Sequence, residues 1–220
     1  MPDRRDHAEL VRELTGRWPE HHVAPSLNRI RALCELLGEP QRSAPVIQIT
    51  GTNGKGSTAI MIDALCRAMG LRTGRFSSPH LQDITERICV DGQPISAELF
   101  DEVWRQIEPL AHIVDEQRLD GVPLTFFEAM TGLAYAVFAD APVDVMVMEV
   151  GMGGRWDATN VADAQVAVLC PVDFDHMNYL GNTIEQIAGE KSGIIKPGAT
   201  VVSAMQRPEA LRVIAQASQD

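Results

Sequence analysis

Residues 44–58 read APVIQITGTNGKGST, and the reading of this stretch decides the fold. Its first half, APVIQIT (44–50), is a short apolar run with β-branched residues, which predicts a strand. Gly51, Gly54 and Gly56 then surround a single lysine, Lys55, and the pattern turns helical over STAIMIDALCRAMG (57–70). Ile60, Ala64, Leu65 and Ala68 fall along one side of that helix and Gly70 ends it. Strand, glycine loop and helix open a βα unit. At such a junction several backbone N–H groups converge on one anion, glycines permit the tight path, and the helix N-terminus adds favourable potential. Lys55 brings a mobile cation to the outer phosphates, and Ser57 or Thr58 a hydroxyl beside them and any magnesium. The loop Gly51, Thr52, Asn53, Gly54, Lys55, Gly56, Ser57, Thr58 is therefore expected to hold a nucleoside triphosphate. The spacing GxxxxGK[ST] is not met, since Gly51 precedes Gly54 by three positions and Gly56 separates Lys55 from Ser57, so a plain glycine turn is the alternative.

Working outward, residues 7–15 and 26–38 show helical spacing, with Leu27, Ile30, Leu33, Leu36 and Leu37 on one face and Gly38 as the stop. After the phosphate loop come a strand ending in a Ser-Pro turn (72–80) and a hairpin over 86–96 around Asp91-Gly92. Helices are expected at 96–118 and 125–139. VDVMVMEVG (143–151) and AQVAVLCPV (164–172) are nearly continuous apolar runs, as in strands buried on both faces of a parallel sheet. A helix at 185–195, a strand at 199–205 and a helix at 207–219 complete the alternation. The fold class expected is α/β, a doubly wound, mostly parallel sheet with a P-loop. Residues 1–43 read as a helical lead-in and 44–220 as the P-loop core.

The totals agree with such a domain. The chain has 220 residues, 45% hydrophobic and 22% charged, enough for a sizeable core. Its formal net charge of −11 argues against a nucleic-acid partner, so an anion must be held by a local device. Cys34, Cys66, Cys89 and Cys170 show no metal-like spacing and read as core thiols in a reducing compartment. Neither a signal peptide nor a run approaching the ~20 apolar residues of a membrane span is visible, so a cytoplasmic protein without a membrane partner is expected.

Other positions stand out for their chemistry. Glu149 ends a buried strand, where an unpaired carboxylate costs several kcal/mol, and it lies at the strand's carboxyl end, where such sheets bind ligands. His176 follows another apolar strand and emerges at the same end. PLTFFEAMTGLAYAVF (123–138) places two aromatics at a helix start in a chain with only 5% aromatic residues, and helical spacing buries one of Phe126 and Phe127. Asp157 can accept from donors on a ligand or cap the turn before Ala158-Thr159-Asn160.

Gly51-Thr52-Asn53-Gly54-Lys55-Gly56-Ser57 resembles the phosphate loop of the Mur ligase superfamily, in the form of its folylpolyglutamate synthase and dihydrofolate synthase branch. EVGMGGRWDATN (149–160), FSSPHL (76–81) and DHMNYLG with EKSGIIKPG (175–198) resemble further motifs of that branch, in the same order, so the likeness covers roughly residues 25–205. It implies that Ser78 (or Ser77, if the turn is displaced), Glu149 and His176 bind Mg2+. It implies that Lys191 is carbamylated and also holds the metal, and that Lys55, His176 and Lys191 serve catalysis. Phe127 would lie against a pterin ring and Asp157 accept from its nitrogens, with Thr125 and Ala158 beside them; for Trp156 the likeness gives no role. The implied reaction joins L-glutamate to dihydropteroate and/or a folate through an acyl phosphate, with ATP consumed, in a monomer. The likeness covers only the front of such an enzyme, so the expectation is a truncated chain without the C-terminal glutamate-ligase domain, inactive alone. Two alternatives stand beside it: a Mur-type ligase of peptidoglycan precursors, and a non-catalytic nucleotide-binding module.

Overall fold

The structure, a computed structural model, describes residues 5–18 and 24–219. Residues 1–4 and 19–23 of the expected lead-in, and residue 220, lie outside the described residues. The chain runs α1 (His7–Thr15), α2 (Asn28–Leu36), β1 (Val46–Thr50), α3 (Lys55–Ala68), β2 (Thr73–Phe76), β3 (Ile88–Val90) and β4 (Gln93–Pro94). It continues with α4 (Ala97–Glu116), α5 (Phe126–Asp140), β5 (Val145–Glu149), β6 (Val166–Leu169), α6 (Met177–Leu180), α7 (Ile184–Lys191), β7 (Thr200–Ser203) and α8 (Pro208–Ala217).

The seven strands form one sheet in the order β4-β3-β2-β5-β1-β6-β7. β2, β5, β1, β6 and β7 are parallel, and β3 and β4 add an antiparallel edge. This is the expected doubly wound architecture, in which the crossovers from β1 to β2 and from β6 to β7 run in opposite directions across the sheet. The hairpin forms where Asp91 and Gly92 both adopt positive φ (50° and 77°), the combination its two-residue turn requires.

Buried residues of α1, α2, α4 and α5 pack with Val46, Phe76, Met146 and Met148 on one face of the sheet. α3 packs on the other, where Ala59 and Ile62 meet Ile49, Val147 and Val168. Ile184, Ile187 and Ala188 of α7 and Ala210 of α8 form a smaller cluster with Val172 and Leu180.

Differences from the sequence reading have local causes. α3 begins at Lys55, inside the glycine loop, because Gly54 in the left-handed region (φ 83°) starts the helical path there. The helix expected over 185–195 ends at Lys191 and tightens into a 3-10 turn, Ser192–Ile194. The four-residue α6 has no apolar period to announce it. Leu36 lies 42% exposed, so the stripe of α2 buries only Ile30 and Leu33 with Cys34. β5 is buried throughout as its apolar run predicts, whereas β7 is mostly exposed.

Candidate functional site

The loops after β1, β2, β5 and β6 meet at the carboxyl end of the sheet. Gly51 leaves β1 so close to β6 that a side chain there would reach within 2.5 Å of Cys170 Cβ, with φ at 148°. Thr52 fastens the phosphate loop to the segment after β6: its N–H donates to Pro171 O (2.9 Å), its hydroxyl donates to Asp173 O (2.9 Å) and it accepts from Asp173 N–H (3.0 Å). Asn53, Gly54 and Ser57 stay exposed at the loop's outer surface, and Thr58 stands behind it, within 3.3 Å of the Cys170 thiol. Lys55 and Lys191 converge on one acceptor, their ammonium groups donating to Gly51 O at 3.1 and 2.9 Å. Lys191 is 2% exposed, and burial, aided by the charge of Lys55, lowers its amine pKa to about 8.

Glu149, at the end of β5, is also buried, and desolvation raises its carboxyl pKa while Lys55 pulls the other way. It accepts one long hydrogen bond, from Ser78 N–H at 3.4 Å. A side chain at Gly56 would come within 3.6–3.7 Å of both its oxygens, so the first turn of α3 and this carboxylate face each other with only glycine between them. Ser78 precedes a cis Pro79. Of the two serines, Ser77 Oγ accepts from Arg75 Nη1 at 2.9 Å, while Ser78 lines the cleft. His176 adopts positive φ (46°) just before α6, has its Nε2 3.4 Å from Asp175 Oδ2 and also borders the cleft.

That cleft, of about 250 Å³, brings Ser78, Thr125, Phe127, Trp156, Asp157, Ala158 and His176 to one wall system. Thr125 caps α5 in a capping box with Glu128. The two aromatics separate as helical spacing demands. Phe126 is buried beneath the guanidinium of Arg87 (5.1 Å), and Phe127 turns to the cleft against Phe76 (centroids 5.7 Å apart). Gly151 leaves no room for a side chain, since a Cβ would lie 2.6 Å from Phe127 Cζ. Trp156 packs against the α7–α8 cluster and borders the same cleft.

Asp157 does the capping work that the sequence left open. Its Oδ1 accepts from Thr159 N–H (3.0 Å) and from the Thr159 hydroxyl, and its Oδ2 accepts from Gly151 and Met152 N–H, both at 3.0 Å. All its lone-pair directions are taken by the protein. Burial raises its pKa and these donors oppose the rise.

Sequence reasoning missed Arg29, 1% exposed, which donates to Glu128 Oε2 (3.0 Å) and to Ala24 O (2.6 Å) behind the cleft. A charged residue beside Ile30 on the apolar face of a helix was the available signal. It also missed Arg75, whose charge acts on Glu149.

Among the described residues no three His, Cys, Asp or Glu side chains group closely enough to hold a metal by themselves. The donor set still fits magnesium, which binds through one or two protein oxygens and completes its shell with phosphate oxygens and water. Glu149 is a buried, under-satisfied carboxylate beside the Ser78 turn and opposite the phosphate loop.

A glycine loop between the central strand and helix of a doubly wound sheet, faced by a buried carboxylate, defines a P-loop nucleotide-binding domain of the Mur-ligase type. No protein-family profile matches the chain. It is 52% identical over 212 residues to the dihydrofolate synthase/folylpolyglutamate synthase of Mycobacterium tuberculosis, covering 91% of this chain and 44% of that one. The solved folylpolyglutamate synthase of the same organism complexed with ADP superposes with a TM-score of 0.90 at 50% identity, over 97% of this chain and 48% of that one. A folylpolyglutamate synthase in complex with AMPPCP and folate gives 0.91 at 37% identity, over 98% and 52%. The chain therefore matches the N-terminal portion of the folylpolyglutamate/dihydrofolate synthases and spans about half the length of those relatives.

Proposed function

We propose that the protein is an ATP-dependent ligase adding L-glutamate to dihydropteroate and/or a folate, this chain matching the nucleotide-binding portion of such enzymes. One observation carries the reading: Ser78, which lines the Phe127 cleft with His176, donates to Glu149, and Glu149 faces the phosphate loop at Gly56. In this arrangement the loop amides and Lys55 bind and orient the ATP phosphates. The cleft holds the flat ring system against Phe127, with Thr125, Ala158 and Trp156 around it. Asp157 serves that ring by fixing the Gly151–Met152 backbone, and to accept from ring nitrogens it must exchange one of its present donors.

A substrate carboxylate oxygen attacks the γ-phosphorus and ADP leaves. The amine of glutamate then attacks the acyl carbon, and phosphate departs as the amine loses its proton. Ser78, Glu149, His176 and carbamylated Lys191 would hold Mg2+, which supplies positive charge to the phosphate oxygens when bound. Carbamylation requires a neutral amine, which the burial of Lys191 and its lowered pKa favour; the nitrogen bonds to the carbon of CO2 and releases a proton. The protein works as a cytoplasmic monomer on small molecules, and this chain binds the nucleotide.

Calorimetry tests the reading. Mg·ATP is expected to bind the chain and Lys55→Ala to abolish that binding, while folic acid quenches tryptophan fluorescence in the wild type and loses at least about tenfold in affinity in Phe127→Ala. Binding of Mg·ATP unchanged by Lys55→Ala removes the loop from the proposal. With labelled bicarbonate, a 13C carbamate resonance absent from Lys191→Arg is expected; its absence from the wild type would strike out that ligand.

A further inference from the structure

The wall of the cleft is drawn from segments far apart in the chain, and one buried side chain joins three of them. Ala24 and Ser26 line the cleft from the stretch that leads into α2, and Thr125, Phe127 and Glu128 line it from the start of α5. Arg29, in the first turn of α2, is 1% exposed and bonds to both stretches. Its Nε donates to Glu128 Oε2 at 3.0 Å and its Nη2 to Ala24 O at 2.6 Å. Its Nη1 lies 3.6 Å from Asp120 Oδ2, in the turn Leu119–Gly121. Asp120 in turn accepts from the Ser26 hydroxyl and from Asn28 Nδ2.

Glu128 Oε2 is the same oxygen that accepts from Thr125 N–H at 2.8 Å and so closes the α5 capping box. Phe127 lies between these two residues in sequence. One guanidinium therefore sets both the cap that carries Phe127 and the carbonyl of Ala24. Taking an ion pair out of water costs about as much as its attraction returns, so such a pair contributes little net stability. What it does supply is geometry, because a planar fork fixes two acceptors at once and a flexible ammonium does not. Arg29 is not among the residues that line the cleft, so it acts on a ligand through Glu128, Ala24 and Asp120.

We propose that Arg29 is a positioning residue for the cleft: it sets residues 24–28 against the capped start of α5, and thereby the fit of a flat ligand beside Phe127. That role rests on the cleft taking a ring system, as proposed above, but the link between α2, the stretch before it and α5 belongs to the chain with or without a ligand. The phosphate loop lies outside this linkage. Lys55 bonds to Gly51 O and Thr52 to Asp173, and neither bonds to Arg29 or its partners. A change at Arg29 is therefore felt in the cleft and not at the loop.

Arg29→Lys is the variant that tests this, because it keeps a cation beside Glu128 while removing the fork. Leu33→Ala, a buried change on the same helix that does not line the cleft, is the control for lost stability. Circular dichroism and thermal unfolding establish that both fold. Folic acid, titrated against tryptophan fluorescence, is expected to bind Arg29→Lys at least about tenfold more weakly than the wild type, with Mg·ATP affinity unchanged by calorimetry. Leu33→Ala is expected to melt at a lower temperature and to change neither affinity. Without any ligand, the Thr125 and Glu128 amides of Arg29→Lys are expected to exchange at least about tenfold faster by NMR, while amides of 130–138 keep their rates. Wild-type folic acid affinity in Arg29→Lys overturns the proposal. So does an equal loss of folic acid and Mg·ATP, or an equal loss of folic acid in Leu33→Ala. If the wild type takes up no folic acid, the ring reading falls and exchange alone decides: unchanged rates at Thr125 and Glu128 overturn the link, and faster ones uphold it.

Discussion

Asp157 shows how one carboxylate can tie separate segments of a cleft wall together. It bridges the loop after β5, through Gly151 and Met152, to the turn that begins at Ala158, through Thr159. Gln48 in the central strand then donates to the Thr159 hydroxyl at 3.0 Å, tying that turn to the strand that feeds the phosphate loop. Asp157→Asn replaces one acceptor oxygen by a donor that must face N–H groups. It is expected to lower stability by roughly 2 kcal/mol in urea unfolding and to weaken folic acid binding, while Mg·ATP binding changes little. An Asn variant as stable as the wild type would refute this bridging role. Cys34 gives a second prediction at this scale. The thiol is 0% exposed, and burial together with Glu39 and Glu35 pushes its pKa up to about 12. At pH 8 its thiolate fraction is then on the order of one in ten thousand, so iodoacetamide should leave Cys34 unlabelled in the native protein and label it in urea, as mass spectrometry would read.

At the scale of elements, the legible features were those written locally. The glycine loop, the Asp91-Gly92 turn and the split between Phe126 and Phe127 each follow from neighbours within a few residues, and each is present. The pair Arg29–Glu128 spans 99 residues, so no local period could announce it. α3 was legible in extent, but the side of it that faces the sheet was not. Its apolar stripe points outward because, Ile62 apart, the residues that meet the sheet are small or polar: Gly56 beside Glu149, Ala59, and Asp63, which accepts from the Thr73 hydroxyl. α5 yields the prediction at this scale. Thr125 accepts from Glu128 N–H at 3.2 Å, Glu128 Oε2 accepts from Thr125 N–H at 2.8 Å, and Phe127 lies within this capped turn. Thr125→Ala is expected to cost about 1 kcal/mol of stability and to loosen the Phe127 ring, weakening folic acid more than Mg·ATP. Equal losses for both ligands would show that the cap does not act on the cleft.

Over the whole molecule, order is distributed unevenly across the sheet. β1, at its centre, pairs with β5 and β6, and its described residues are buried almost throughout. β7 pairs with β6 alone, and three of its four residues are exposed. Opening β7 and α8 exposes little apolar surface beyond Ala210 and Ile214, whereas opening β1 disrupts both faces of the core. Native-state hydrogen exchange should therefore find amides of 200–203 exchanging at a lower opening free energy than those of 46–50 and 145–149, whose exchange follows global unfolding. The phosphate loop stays on the slow side of this division, since it leaves β1 and is tied to the segment after β6 by Thr52, which bonds Asp173, and by Thr58 at the Cys170 thiol. Nucleotide binding should consequently survive denaturant concentrations at which β7 has already opened. Loss of Mg·ATP binding in step with exchange at 200–203 would instead mean that the edge and the loop open as one unit.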